Sequence, residues 1–240
     1  MQWYHKALLR IIDAGEIPRH VAIVMDGNRR YARKEHLESI TMGHKMGADK
    51  LKEVIEWFSN LNGIEMLSVY AFSILNFQRA QQEVNGLMDL AESTFKELAD
   101  NPEFFTKNNC RINFIGRIEM LEQRVKDQIN RVNQLGPKNP KFILNICVCY
   151  TSHDEIEHSR DECIENQFEP NYENVFKHLQ LPMKVDLLIR TSGVMRMSNY
   201  LLLQCADANI IVTDKLWPEL SIWDLSFILI KHQLRNYLPE

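Results

Sequence analysis

Six short apolar runs alternate with stretches of helical spacing along the 240-residue chain, and that alternation leaves few folds open. The runs are Val21 to Met25, Glu65 to Phe72, Arg111 to Gly116, Phe142 to Tyr150, Val185 to Arg190 and Asn209 to Val212. Most are apolar at nearly every position, as strands buried on both faces of a parallel sheet must be. Between them, residues 47–61, 82–99, 118–132, 153–166 and 171–179 carry helical spacing or helix boundaries, 199–205 reads as a short helix, and 222–237 as a terminal one. The expectation is a single α/β domain: a central parallel six-stranded sheet with right-handed crossovers, flanked by helices. No linker, internal repeat or low-complexity segment interrupts the pattern.

Hydrophobic residues at 45% and charged ones at 25% supply an ordinary globular core. The formal charge of −4 argues against a general affinity for nucleic acid, so basic residues would have to act as a local cluster rather than through a global field. Five cysteines without CxxC spacing read as reduced, packed thiols. The sequence has no membrane-length apolar run and no signal-peptide pattern, which points to a cytoplasmic location. Met1 to Ala14 has the pattern of an amphipathic helix, with Trp3, Tyr4, Leu8, Ile11 and Ile12 beside Lys6 and Arg10. It suits peripheral contact with a membrane surface, or packing against its own domain or a partner. The organisation is therefore an N-terminal helix within 1–17 followed by one domain over 18–240.

Ligands of open parallel sheets collect at the carboxyl ends of the strands, so the residues after each strand are the candidates. After the first come Asp26, Gly27, Asn28, Arg29 and Arg30. Gly27 permits close backbone approach, Asn28 suits a helix cap, and a helix start with two guanidiniums suits phosphate. Asp26 would repel phosphate unless a divalent cation stood between them, which makes it a Mg2+ ligand. The plain alternative is a capped turn and a solvated basic helix. After the second strand come Ser73, Asn76 and Arg79. After the fifth come Arg190, Arg196 and Ser198, a second anion cradle around Thr191-Ser192-Gly193. Helices 47–61 and 82–99 can line a greasy cleft beside these charges, and a charged head with an oily tail describes an isoprenoid diphosphate. Trp57, Trp217 and Trp223 read as packing groups, and His36, His153, His158 and His178 as surface residues. No Walker loop, dinucleotide fingerprint, zinc signature or nucleophile elbow is present.

The string Met25 to Arg33, Gly43-His44, Tyr70 to Ser73 with Asn76 and Arg79, Glu83-Val84 with Leu87-Met88, Ile189 to Gly193 with Arg196, Ser198 and Asn199, and Leu216-Trp217-Pro218 together resemble the cis-prenyltransferase family, in order and spacing, over about residues 18 to 235. Arg29-Arg30 and Tyr150-Thr151-Ser152 most resemble its eukaryotic dehydrodolichyl diphosphate synthase branch, rather than bacterial undecaprenyl diphosphate synthase. The resemblance implies an Mg2+-dependent enzyme with an apolar tunnel that joins an allylic diphosphate to isopentenyl diphosphate. Asp26 would be the metal and catalytic residue, while Gly27, Asn28, Arg29, Arg30 and His44 would hold the allylic diphosphate. Arg190, Arg196 and Ser198 would hold the homoallylic one, and Ser73 would be a further substrate-binding residue. Asn76, as a catalytic residue, and Arg79 would orient the reacting groups.

Four positions depart from the family pattern: Ile40 replaces a phosphate-binding arginine, Leu75 and Val194 replace glutamates, and Asn209 replaces a carboxylate placed near the end of strand six in many bacterial members. A missing charge-assisted contact costs about 1.5 to 3 kcal/mol, enough to weaken a cradle tenfold without abolishing it. The carboxyl-terminal Leu234-Arg235-Asn236-Tyr237 also lacks the family's Arg-x-Gly ending. These departures leave three readings open: ordinary elongation, as a homodimer or with a Nogo-B-receptor-like subunit at the endoplasmic reticulum membrane; irregular coupling of two dimethylallyl diphosphates; or a non-catalytic subunit.

Overall fold

The structure, a computed structural model, describes residues 2–235. Strands β1 (His20–Val24), β2 (Met66–Ser73), β3 (Cys110–Ile115), β4 (Phe142–Tyr150), β5 (Leu187–Arg190) and β6 (Asn209–Val212) form one sheet in the order β3-β4-β2-β1-β5-β6. All five pairings are parallel, so the expected architecture is the observed one. β1 is buried at every position because sheet neighbours flank it and helices cover both faces. From β1 the chain first moves to β2 on one side, and only after β4 crosses to β5 on the other. The switch point between β1 and β5 therefore opens a crevice at their carboxyl ends, where Asp26 and Arg190 emerge.

The helices are α1 (Trp3–Ile12), α2 (Asn28–Lys34), α3 (Ile40–Ser59), α4 (Gln81–Ala99), α5 (Pro102–Asn108), α6 (Gln123–Asn133), α7 (Ser152–Glu165), α8 (Tyr172–Lys177) and α9 (Ile222–Gln233). α3 begins well before residue 47, because the Ser39 hydroxyl accepts the Met42 N–H and starts the helix there. α5 begins at the Asn101-Pro102 pair that reads as a stop after 82–99; proline at the first position of a helix stops one and starts another. Residues 199–205 are not helical. Ser198, Asn199 and Leu201 adopt positive φ, which a right-handed helix cannot contain, and the segment is a series of turns. The terminal helix ends at Gln233, and Asn236 and Tyr237 lie outside the described residues.

α1 packs along α9 and buries Leu9 and Ile12 in the main core, while Trp3 and Ile11 face solvent. Trp57 and Trp217 are buried as expected, but Trp223 is exposed on the α9 face that continues the α1 surface. His36, His153 and His158 are exposed, whereas His178 is half-buried and its Nδ1 meets the Asn174 carbonyl. Among the described residues no helix is long and apolar enough to cross a membrane.

Candidate active site

β1 ends where Asp26 turns out of the sheet, and its turn is tied to β5. The Asp26 N–H donates to Thr191 Oγ1 at 2.9 Å, the Thr191 hydroxyl donates to the Asp26 carbonyl at 2.7 Å, and the Trp217 N–H donates to the same carbonyl at 3.0 Å. The Arg190 guanidinium, only 4% exposed, donates to Asp26 Oδ2 at 2.9 Å, to Ser198 Oγ at 2.7 Å and to the Arg196 carbonyl. Three residues expected to cradle one anion are thus knotted around a single buried arginine.

α2 starts at Gly27, whose φ of 111° is a conformation that side chains resist, and whose Cβ would press on Leu216. Asn28 is the first helical residue, not the cap. Its Nδ2 donates to the Met25 carbonyl at 3.4 Å, and its buried Oδ1 has no protein partner. The helix lies unusually close to α3 because Gly43 and Gly47 face it: a Cβ at either would come within 2.4 Å of Asn28 atoms. That close approach brings Arg29, Arg30 and His44 onto one wall. Arg30 reaches the Ser192 carbonyl at 3.0 Å and stands 3.9 Å from Asp26.

Ser73 closes β2 and caps the turn Ile74–Gln78. Its hydroxyl accepts the Leu75 N–H, and Asn76 Oδ1 accepts the Ser73 N–H. Asn76 therefore spends its oxygen on the turn and has its amide nitrogen left for a ligand. Arg79 extends to Glu83 on α4 at 2.8 Å, and Arg29 approaches the same carboxylate at 3.7 Å. Burial pushes the His44 imidazole down to about 4, and the charges of Arg79 and Arg29 add to this against the opposing pull of Glu83. His44 is therefore neutral at pH 7, with a buried Nε2 that lacks a partner.

All twelve candidate residues, from Asp26 to Ser198, line one open cavity of about 840 Å3. A second cavity of about 140 Å3 adjoins it through Met25, Asn28, His44 and Phe72 and runs between α3 and α4 over the sheet. Its walls are mostly Leu, Ile, Met, Phe and Ala, which makes it the greasy cleft expected beside the charges. An irregularity in the β2–β4 pairing around Phe72 helps to form it, turning Ala71 and Phe72 toward both cavities. Asn28 Oδ1, His44 Nε2 and Arg190 Nε, three buried polar atoms without protein partners, belong to residues on these walls. Buried polar atoms are normally satisfied, so such a concentration marks a site built for a polar ligand.

Sequence reasoning places Glu83 and Thr191 within its motifs but gives Glu83 no role, although its i, i+4 spacing from Arg79 signals one, and does not tie Thr191 to the Asp26 backbone. It also passed over the brace under Ser198: the Ser152 N–H donates to the Asn199 carbonyl at 2.9 Å and the His153 N–H to Asn199 Oδ1 at 3.0 Å. Of the departing positions, Leu75 lines the cavity, while Ile40 and Val194 do not. Asn209 is the first residue of β6 rather than near its end. It pairs with Leu187 at the amino ends of the strands and meets His232, so its missing charge falls outside the Arg190 rim.

The undecaprenyl diphosphate synthase family model of prenyltransferases matches residues 24–237. Human dehydrodolichyl diphosphate synthase complex subunit is 36% identical over 241 residues, covering 94% of this chain and 70% of that protein. The tritrans,polycis-undecaprenyl-diphosphate synthase (geranylgeranyl-diphosphate specific) of Pyrococcus furiosus is 37% identical over 242 residues, covering 97% and 90%. Among solved structures, lavandulyl diphosphate synthase from Lavandula x intermedia in complex with dimethylallyl diphosphate superposes with a TM-score of 0.80 at 27% identity, covering 90% of this chain and 95% of that one.

Proposed function

Since the chain belongs to the undecaprenyl diphosphate synthase family of prenyltransferases, we propose that it condenses an allylic isoprenoid diphosphate with isopentenyl diphosphate to form a cis-prenyl diphosphate. The observation that carries this reading is the junction of the two cavities: a guanidinium-rich bowl containing one carboxylate opens directly into an apolar cleft. A diphosphate in the bowl leaves its hydrocarbon tail facing the cleft.

The donor set fits Mg2+. Among the described residues no group of three or more His, Cys, Asp or Glu is placed to hold a metal. A single carboxylate at an anion site is nevertheless what Mg2+ uses when substrate phosphates and water complete its shell. Asp26 would hold it, and the ion would supply charge neutralisation for the departing diphosphate. Arg29, Arg30 and the first N–H groups of α2 bind the allylic diphosphate, and neutral His44 offers Nε2 to it as an uncharged partner. Arg190, Arg196 and Ser198 bind the second diphosphate, while Asn76 Nδ2 and Arg79 orient the reacting ends. As the allylic C–O bond breaks, negative charge grows on the diphosphate, where preorganised guanidiniums stabilise it most. The apolar cleft keeps water from the carbocation until the alkene attacks and a proton is lost.

Incubation with Mg2+, labelled isopentenyl diphosphate and a panel of allylic primers, followed by product sizing, tests this. Label in products longer than the primer is expected; none with any primer, alone or with a partner subunit, would overturn it. A second reading has a specific basis: lavandulyl diphosphate synthase is a structural neighbour seen with dimethylallyl diphosphate, and Leu75, which lines the charged cavity, stands where the family pattern has a carboxylate. Coupled product from dimethylallyl diphosphate alone would favour it. The retained Asp26–Arg190 pair speaks against a silent subunit, which has no need for such a buried charge.

The human relative is a subunit of a complex, which supports a heteromer with a Nogo-B-receptor-like subunit; turnover by the purified chain alone would remove that requirement. α1, read as an appended helix within 1–17 ahead of the domain, joins α9 in presenting Trp3, Ile11, Trp223 and Phe227 beside Lys6, Arg10 and Lys231. Aromatic and basic side chains on one face suit peripheral attachment to an anionic membrane, as at the endoplasmic reticulum surface. Co-sedimentation with anionic vesicles, lost in Trp3→Ser/Ile11→Ser, is the expected result.

A further inference from the structure

One charged side chain lines the otherwise greasy cleft. Lys52 stands on the α3 wall beside Leu51, and its ammonium reaches out to both carboxylate oxygens of Glu97 on α4 at 2.7 Å, with Asp49 a further partner at 3.4 Å. Lysine commonly lays its methylenes along apolar surface and keeps its head in water. Here the stem is wall and the head is a tie: Lys52 is about one-third exposed and Glu97 mostly exposed, so the ion pair sits on the outer side of the seam between the two helices.

Across this seam α3 and α4 share core packing, a close backbone approach and an ion pair. Near the charged bowl, Gly86 of α4 comes so close to Thr41 that an added Cβ would lie 2.9 Å from its hydroxyl. The ion pair Lys52–Glu97 lies about 16 Å further along α3 at the usual helical rise. Opposite the seam the sheet closes the cleft with Leu144, Ile146 and Val148. An apolar chain that outgrows the cleft cannot pass through a hydrogen-bonded sheet. Its route is the seam, and beyond the small side chains of Ala48 and Ala91 the polar contact standing across that route is the lysine strap.

We infer that the Lys52–Glu97 strap limits how long a prenyl chain the cleft accepts, which makes these two residues determinants of product length. The inference rests on the elongation reading above and deepens it. It needs no contact with the reacting groups: the strap acts only on the tail, after several additions have filled the cleft.

The test compares the full-length chain with Lys52→Met, which keeps the stem and loses the tie, Lys52→Ala, which loses both, and Glu97→Gln. Each is given Mg2+, farnesyl diphosphate and isopentenyl diphosphate, and the size distribution is normalised to total product. The share of chains longer than the principal wild-type product is expected to rise about fivefold in Lys52→Met and Glu97→Gln, the scale of an exposed ion pair, and further in Lys52→Ala. Raising the salt concentration lengthens wild-type products and leaves those of Lys52→Met unmoved, because only the former has a pair to screen. Distributions that coincide across the variants overturn the strap. A second measurement is independent of turnover: calorimetric affinity for farnesyl diphosphate relative to a polyprenyl diphosphate twice as long. Glu97→Gln is expected to lose about fivefold of the wild-type preference for the shorter chain, and an unchanged ratio overturns the inference. A wild-type chain that binds both but makes no prenyl product would defeat the elongation reading, while the ratio still decides on the strap.

Discussion

The two anion cradles proposed for this site are built on opposite physical plans. Around Arg190 the guanidinium is buried to 4% exposure and every neighbour is committed: Asp26, Ser198 and the Arg196 carbonyl are its fixed partners, and Thr191 fixes Asp26 in turn. At the start of α2, Arg29 and Arg30 are nearly half exposed, and Arg29 stands at ion-pair distance from a carboxylate, Glu83, that a phosphate could displace. One cradle has its geometry set before any ligand arrives, whereas the other holds adaptable charge. The difference teaches that removing a group from the first should damage the chemistry and the local fold together. Removing one from the second should act on affinity alone.

The largest expected effect tests the fixed cradle at its centre. Asp26→Asn keeps the shape but removes the negative charge, and turnover is expected to fall about 10²- to 10³-fold, the usual consequence of losing a preorganised electrostatic group. Arg190→Met is expected to lower turnover comparably, and it also strands Asp26. Truncating one partner of a buried pair costs about 3 to 5 kcal/mol, reduced here because Asp26 is one-third exposed, so thermal unfolding should separate the two variants. Thr191→Val removes both hydrogen bonds to the Asp26 backbone without changing volume much. It is expected to cost about 1 to 3 kcal/mol, with Thr191→Ser recovering most of the activity.

The adaptable cradle is tested by smaller changes. His44 titrates near 4 when folded and near 6.5 when unfolded, so below pH 6.5 the unfolded chain binds a proton that the native chain refuses. Stability therefore falls as the pH drops from 6.5 toward 4, and His44→Gln should flatten that slope by about 2 kcal/mol between pH 7 and 5. Part of the slope will remain, because the buried His20 titrates near 4 for the same reason, desolvation. The smallest effect is expected for Glu83→Gln, which frees Arg79 and Arg29. The KM for the allylic diphosphate should change severalfold, with kcat moving less. A larger effect on kcat than on KM would show that Glu83 organises the chemistry and would erase the distinction between the two cradles.

The fixed and adaptable parts were also unequally legible in the sequence. Short apolar runs give the strands directly, since only a strand buried on both faces dispenses with polar positions. Residues following a strand in a parallel sheet share a rim by topology alone, which is why Asp26, Asn76, Arg190 and Arg196 line one cavity. Backbone choices that depend on distant partners were hidden. Residues 199–205 look helical by composition, yet their positive φ values are held by contacts from α7, more than forty residues earlier in the chain. Asn28 has the side chain of a cap but cedes that place to Gly27, because Gly43 and Gly47 pull the helix start into contact with α3. Glu83 and Thr191 stand in the sequence motifs, but their contacts stayed hidden because these exist only relative to distant groups.

The two glycines on α3 have a consequence beyond packing. With no side chains at positions 43 and 47, α2 lies so near α3 that a Cβ at either position would come within 2.4 Å of an Asn28 atom. A single added methyl there would carry the first turn of α2, with both its arginines, outward as a block while the Arg190 side stayed behind. The spacing between the Arg29–Arg30 wall and Arg190 thus rests on two positions that carry no side chain.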